Sequence, residues 1–184
     1  GHVVGQAEGD LDGRWRAYVW QGEVMQEIGT FGGPTSTAVA VNDGGVAVGQ
    51  ADRADGSVHA FSFRQGVLRD LGTLGGANSR ARDINRSGQI VGTAEQADGS
   101  ERAFLYANKQ MSALPTPEGA SAGAWSINRL GQAVGAYTLD GQDHAFLFDG
   151  GVVYRIQDLL SPADQAVWAI ASAAPINDKG WILA

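Results

Sequence analysis

The sequence contains no cysteine, which removes disulfides, thiolate metal sites and a cysteine nucleophile together. A cysteine-free chain tolerates oxidising and reducing surroundings equally, so this absence leaves the compartment open. Lysine is nearly as scarce, occurring only at Lys109 and Lys179. With 13 basic against 20 acidic side chains and a net charge of -7, the clustered cations of a phosphate-binding surface are missing, and nucleic acid is not expected as a partner. No apolar run approaches the ~20 residues of a membrane span. The opening Gly1-His2-Val3-Val4-Gly5 has neither the basic start nor the apolar stretch of a signal peptide, and reads as a trimmed or processed beginning. Glycine is what the chain has in excess: 27 of 184 residues, about twice the average share. Hydrophobic residues at 43% and five Trp suffice for a packed core, so the excess signals many turns rather than collagen or disorder.

The glycines recur in phase. Val4-Gly5 returns as Val48-Gly49, Val91-Gly92 and Val134-Gly135. The aromatic strand Arg16-Ala17-Tyr18-Val19-Trp20 returns as His59-Ala60-Phe61-Ser62-Phe63, Arg102-Ala103-Phe104-Leu105-Tyr106 and His144-Ala145-Phe146-Leu147-Phe148. Asn42, Asn85, Asn128 and Asn177 each precede Gly45, Gly88, Gly131 and Gly180 by three residues, the type I turn preference. Asp12-Gly13, Asp55-Gly56, Asp98-Gly99 and Asp140-Gly141 read as two-residue hairpins.

Each unit of ~43 residues therefore holds four short antiparallel strands. Tight turns make neighbours of the strands they join, while the longest connection, Gly72 to Asn78 and its equivalents, crosses to the next sheet. Four-stranded sheets of this length repeated in series predict an all-β chain with the architecture of a β-propeller. The chain reads as a single repeat domain, 1–184, with blade segments 1–33, 34–76, 77–119, 120–160 and 161–184. Its first unit lacks the innermost strand and its last holds only two strands. Five blades in the intact ring are favoured; the alternative is four, with the strand ending at Asn177 completing the blade begun at Gly1. Ser161-Pro162-Ala163-Asp164-Gln165 interrupts the repeat with a capping Ser, a Pro at the first helical position and an early acid, predicting a short helix near 162–166.

The phrases His144-Ala145-Phe146-Leu147-Phe148, Asp70-Leu71-Gly72-Thr73-Leu74-Gly75-Gly76 and Ile84-Asn85-Arg86-Ser87-Gly88-Gln89-Ile90-Val91-Gly92 resemble the HAF-repeat family of extracellular bacterial proteins over essentially the whole chain. The ending from Gln157 to Ala184 resembles the terminal repeat that precedes a PEP-CTERM sorting tail in such proteins. Arg16 and Arg102 depart from the naming His, and Pro115-Thr116-Pro117 from the interblade loop. The resemblance implies export to the cell exterior or surface and a propeller-like array. It carries no catalytic residues.

The residues that could carry chemistry fall into three groups. Arg16, His59, Arg102 and His144 share one blade position, which points to a structural hydrogen-bonding task rather than an anion-binding ring. Glu8-Gly9-Asp10-Leu11-Asp12-Gly13 has the look of a partial calcium loop but lacks the distant bidentate acid, so no metal and no cofactor is expected. The strands ending in Asn are expected innermost, and there the repeats differ: Arg80, Arg82 and Asp83 in one, Trp125 and Ser126 in the next. Two guanidinium groups, a carboxylate and an indole could grip a polyol or a carboxylated small molecule, and Gly123 beside Trp125 stands outside the glycine register. Arg82 and Asp83 could equally satisfy a polar channel lining. Sugar hydrolysis needs two converging carboxylates, and Asp83 is the one acid in these strands. The expected function is a noncatalytic extracellular module that binds a glycan, small polar molecule or protein. The alternatives are a structural oligomer or fibre built through incomplete edge blades, and a glycan hydrolase or lyase.

Overall fold

A computed structural model describes residues 1–8 and 13–184 of the chain. The partial calcium loop falls largely on residues outside the described ones. Among the described residues, fifteen strands form four antiparallel sheets. The first has three strands, β1 (His2–Glu8), β2 (Trp15–Gln21) and β3 (Val24–Glu27). The second runs β4 (Gly32–Val41), β5 (Ala47–Arg53), β6 (Val58–Arg64) and β7 (Val67–Asp70). The third runs β8 (Gly75–Ile84), β9 (Ile90–Gln96), β10 (Glu101–Ala107) and β11 (Gln110–Ala113). The fourth runs β12 (Ser121–Ile127), β13 (Ala133–Leu139), β14 (Gln142–Asp149) and β15 (Val152–Arg155). Within each sheet, neighbours in space are neighbours in sequence, as the short turns require. Beyond β15 lie α1 (Ile156–Leu159) and α2 (Pro162–Gln165), then a hairpin closed by an Ile176 to Ile182 bridge. Helix α2 starts where Pro and a capping Ser predict it, with the Asp164 N–H donating to Ser161 Oγ; α1 carries no side-chain cap.

The aromatic phrase is explained by strand alternation. Side chains at successive positions point to opposite faces. Ala60 therefore joins the core against the third sheet, while Phe61 joins the core against the first. Ala103 and Phe104 divide in the same way, as do Ala145 and Phe146. A large ring from each sheet packs against the small residue of its neighbour, so the sheets stack face to face in chain order. Phe61, Phe104 and Phe146 are fully buried, and removing one such ring costs about 3–5 kcal/mol.

Two turn types proved distinct. Asp140-Gly141 forms the expected two-residue hairpin, with both residues at positive φ and Leu139 opposite Gln142. Asp55-Gly56 and Asp98-Gly99 instead sit in three-residue loops. There the Gly56 and Gly99 amides donate to the carbonyls of Arg53 and Gln96, and the Asp carboxylates accept from Ser57 and Ser100. Those serines hold the Asp55 and Asp98 carboxyls below the usual carboxylate range. The glycine of each Val-Gly pair is not a turn residue at all. A Cβ on Gly49, Gly92 or Gly135 would overlap the carbonyl of Thr37, Arg80 or Gly123 on the inner strand. That close approach is where the inner strand bulges, between Ala38 and Ala40, Ala81 and Asp83, and Ala124 and Ser126.

Candidate functional site

The bulges position the site. Each inner strand has one residue that the bulge leaves unpaired: Val39 in β4, Arg82 in β8 and Trp125 in β12. Because a bulge re-aims the side chain it carries, these three form one row across neighbouring sheets. The Arg82 guanidinium carbon lies 5.7 Å from the centre of the Trp125 ring, a cation–π distance. The indole folds back along its own strand over Gly123, where any Cβ would overlap the ring.

Beside the indole opens a groove of about 370 Å³. Its walls include Trp125, the hydroxyls of Thr93, Ser121 and Thr138, and the carboxylates of Glu101 and Asp143. It opens where a strap of the repeat is lost. In the second sheet Asp52 accepts from the Thr35 amide and hydroxyl, at 3.0 and 2.7 Å. In the third, Glu95 accepts from the amides of Ala77 and Asn78 and from the Asn78 side chain, at 3.1, 3.2 and 2.7 Å. The Asn78 amide group is the main reason that the Glu95 carboxyl titrates below its usual range. The fourth sheet carries Thr138 and Ser121 at these positions, and Thr138 donates instead to Asp143 at 2.6 Å.

Of the residues singled out from sequence, Arg82 and Trp125 meet in the bulge row. Arg80, one position from the bulge pair, lies 3.7 Å from Glu101 on the groove's rim. Asp83 and Ser126 do something else. Asp83 accepts from its neighbour Ile84 N–H at 2.8 Å and from Ile127 N–H and Ser126 Oγ of the next sheet at 2.9 and 3.0 Å. Ser126 Oγ in turn accepts from Ile176 N–H at 3.4 Å. Both side chains thus tie one inner strand to the next, and both Asp83 oxygens are engaged.

The repeated asparagines and arginines reach from one sheet to the next, whereas the two histidines contact residues of their own sheet. Asn42 donates to the Asn85 carbonyl, Asn85 to that of Asn128, and Asn128 to that of Asn177, at 3.0, 3.0 and 3.1 Å. Arg102 reaches the carbonyls of Pro117 and Ala120 at 2.8 and 2.9 Å, fastening the divergent loop. Arg16 donates to the Pro34 carbonyl. His59 Nδ1 lies 2.8 and 2.9 Å from the two Asp70 oxygens, and the His144 ring lies 5.1 Å from that of Tyr137. Sequence reasoning missed Glu101, Asp143 and Thr138. They occupy the strand ends facing the interblade connections, and only the divergence at Pro115-Thr116-Pro117 hinted that this unit differs. Among the described residues, no group of three or more potential metal ligands occurs, and no helix is long and apolar enough to cross a membrane.

The chain belongs to the family described as protein of unknown function DUF3466, whose model matches residues 6–184. A search of the curated proteins gives no match. Among solved structures, the chain is similar to a protein described as TolB from Agrobacterium tumefaciens, with a TM-score of 0.63 and 14% identity. The match covers 84% of this chain and 60% of that one, so the chain spans less than two thirds of its neighbour's length. At this identity the likeness shows the fold, an all-β propeller-like array.

Proposed function

We propose that this propeller-fold member of the family is a noncatalytic binding module whose groove beside Trp125 accepts a polyol such as a sugar residue of a glycan. The observation that carries the reading is the half-buried indole of Trp125, which lies over Gly123 and lines a groove together with hydroxyl- and carboxylate-bearing side chains. An aromatic platform receives the apolar face of a sugar ring, and the polar fringe receives its hydroxyls. The absence of catalysis is part of the proposal: Glu101 lies against Arg80, Asp143 accepts from Thr138, and Asp83 is engaged between strands. The resemblance to HAF-repeat proteins adds an extracellular setting to the same reading, and the incomplete first and last units add a single five-bladed parent domain.

A glycan array probed with the wild type and with Trp125→Ala tests it. Binding that the substitution abolishes supports the module. Product formation from a bound glycan, abolished by Asp83→Asn, replaces it with the hydrolase or lyase reading. A second reading, self-association, draws on the apolar face of the first sheet, where Val3, Trp20 and Met25 are exposed.

A further inference from the structure

In the first two sheets a basic residue near the start of the next-to-last strand is answered by an acid at the end of the last. Arg16 lies 3.5 Å from Glu27, and His59 Nδ1 lies 2.8 Å from Asp70. The register fixes the equivalence, pairing Tyr18 with Glu27 and Phe61 with Asp70. In the fourth sheet Phe146 pairs with Arg155, so the place of Asp70 is taken by arginine and His144 is faced by a guanidinium. Among the described residues, neither the His144 nor the Arg155 side chain has a hydrogen bond or an ion pair; the imidazole's ring contact is Tyr137.

These two side chains line a cavity of about 540 Å³ that also touches Trp168, Gln142 and Gln165. One wall is the segment that interrupts the repeat. Gln157 fastens that segment, donating to the Trp168 carbonyl at 2.8 Å and accepting from Ile170 N–H at 3.0 Å. Asp143 is the acid in the lining, and its Oδ1 is occupied by the Thr138 hydroxyl.

We propose that this cavity binds the carboxylate of a small organic acid. The bound group takes the place that the Asp70 carboxylate holds between β6 and β7, where it is shared by His59 and by Arg53 Nη1 at 2.9 Å. A guanidinium presents two parallel N–H donors matched to a carboxylate, and an imidazole N–H supplies a third. The inference stands on the His144 and Arg155 register and is independent of the indole platform at Trp125.

Calorimetric titration of the full chain with acetate and with D-galacturonate tests it, with D-galactose as the uncharged counterpart and inorganic phosphate as the competing anion. In the Trp125→Ala variant, which lacks the indole platform, saturable binding of both carboxylates is expected, with none for galactose and a weaker response to phosphate. Arg155→Asp rewrites the pair as His59 and Asp70 and is expected to abolish binding while raising Tm. Arg155→Gln keeps the surface neutral and is expected to weaken binding at least about tenfold. Trp125→Ala is expected to leave carboxylate binding unchanged, which separates this site from the groove. Three results overturn the proposal: no saturable carboxylate binding to the wild type, undiminished binding in a folded Arg155→Gln or Arg155→Asp variant, or phosphate binding more tightly than either carboxylate.

Discussion

Gly123 owes its place to a side chain two residues along the same strand. A methyl group there would occupy the volume of the Trp125 indole, so Gly123→Ala must push the ring off the strand and away from Arg82. We expect that substitution to cost about 1–3 kcal/mol, as overpacking does, and to lower glycan affinity as much as Trp125→Ala. Urea unfolding and the array read the two effects separately; full affinity in Gly123→Ala would show that the platform is not the binding surface. Glu95 gives the residue scale a pH dependence. Its carboxyl titrates below the ordinary value of 4.5 because Asn78 and two backbone amides bind the charged form. A depressed folded value contributes stability above the unfolded value and loses it as the pH falls through the folded one. The gap in urea midpoint between the wild type and Glu95→Gln should therefore be full near neutrality and shrink below pH 4.5. A gap constant with pH would mean that the strap works without its charge.

At the scale of elements, the asparagine relay uses three side chains to link the ends of β4, β8 and β12 to one another and to the Asn177 turn. Asn85 is buried, donates to the Asn128 carbonyl and accepts from Gln89 N–H. Removing it strips a turn cap and an intersheet bond at once. Asn85→Ala should cost about 2 kcal/mol, within the range for leaving buried partners unsatisfied. Asn177→Ala, at an exposed position, should cost clearly less; equal urea midpoints for the two would mean that the relay carries no intersheet stability. The relay's spacing was legible in the sequence, because Asn and Gly at fixed separation dictate a turn whatever surrounds it. Strand order was legible for the same local reason. The bulges were not, since an unpaired residue depends on the register of the strand opposite, and Val39, Arg82 and Trp125 share no residue type. Nor was the reason for the Val-Gly glycines, which lies in a carbonyl of another strand. Asp83 and Ser126 were picked out as variable inner positions, yet their bonds run to backbone amides that no sequence pattern marks. The α2 cap was readable from Ser161 and Pro162, whereas α1, without a side-chain cap, left no signal.

At the scale of the whole molecule, buried cores lie between successive sheets, while one face of the first sheet is left exposed. In the second, third and fourth sheets the Val-Gly strand is paired on both edges; among the described residues β1 pairs only with β2. The face beside that edge exposes Val3 at 59%, Trp20 at 43% and Met25 at 56%, around a shallow hollow. An unpaired edge next to apolar side chains invites strand addition by another copy. Opposing it is the net charge of -7, which repels copies at neutral pH but vanishes near the isoelectric point of about 4.8. Association should therefore be weak at neutral pH, strengthen as the pH approaches 5, and increase with salt at neutral pH as screening shortens the repulsion. Val3→Lys places on the edge strand the residue type that blocks addition most effectively, and it should reduce association under both conditions. Light scattering over a concentration series measures this directly: a strict monomer at every concentration, at both pH values, would leave the apolar face of the first sheet without a role in self-association.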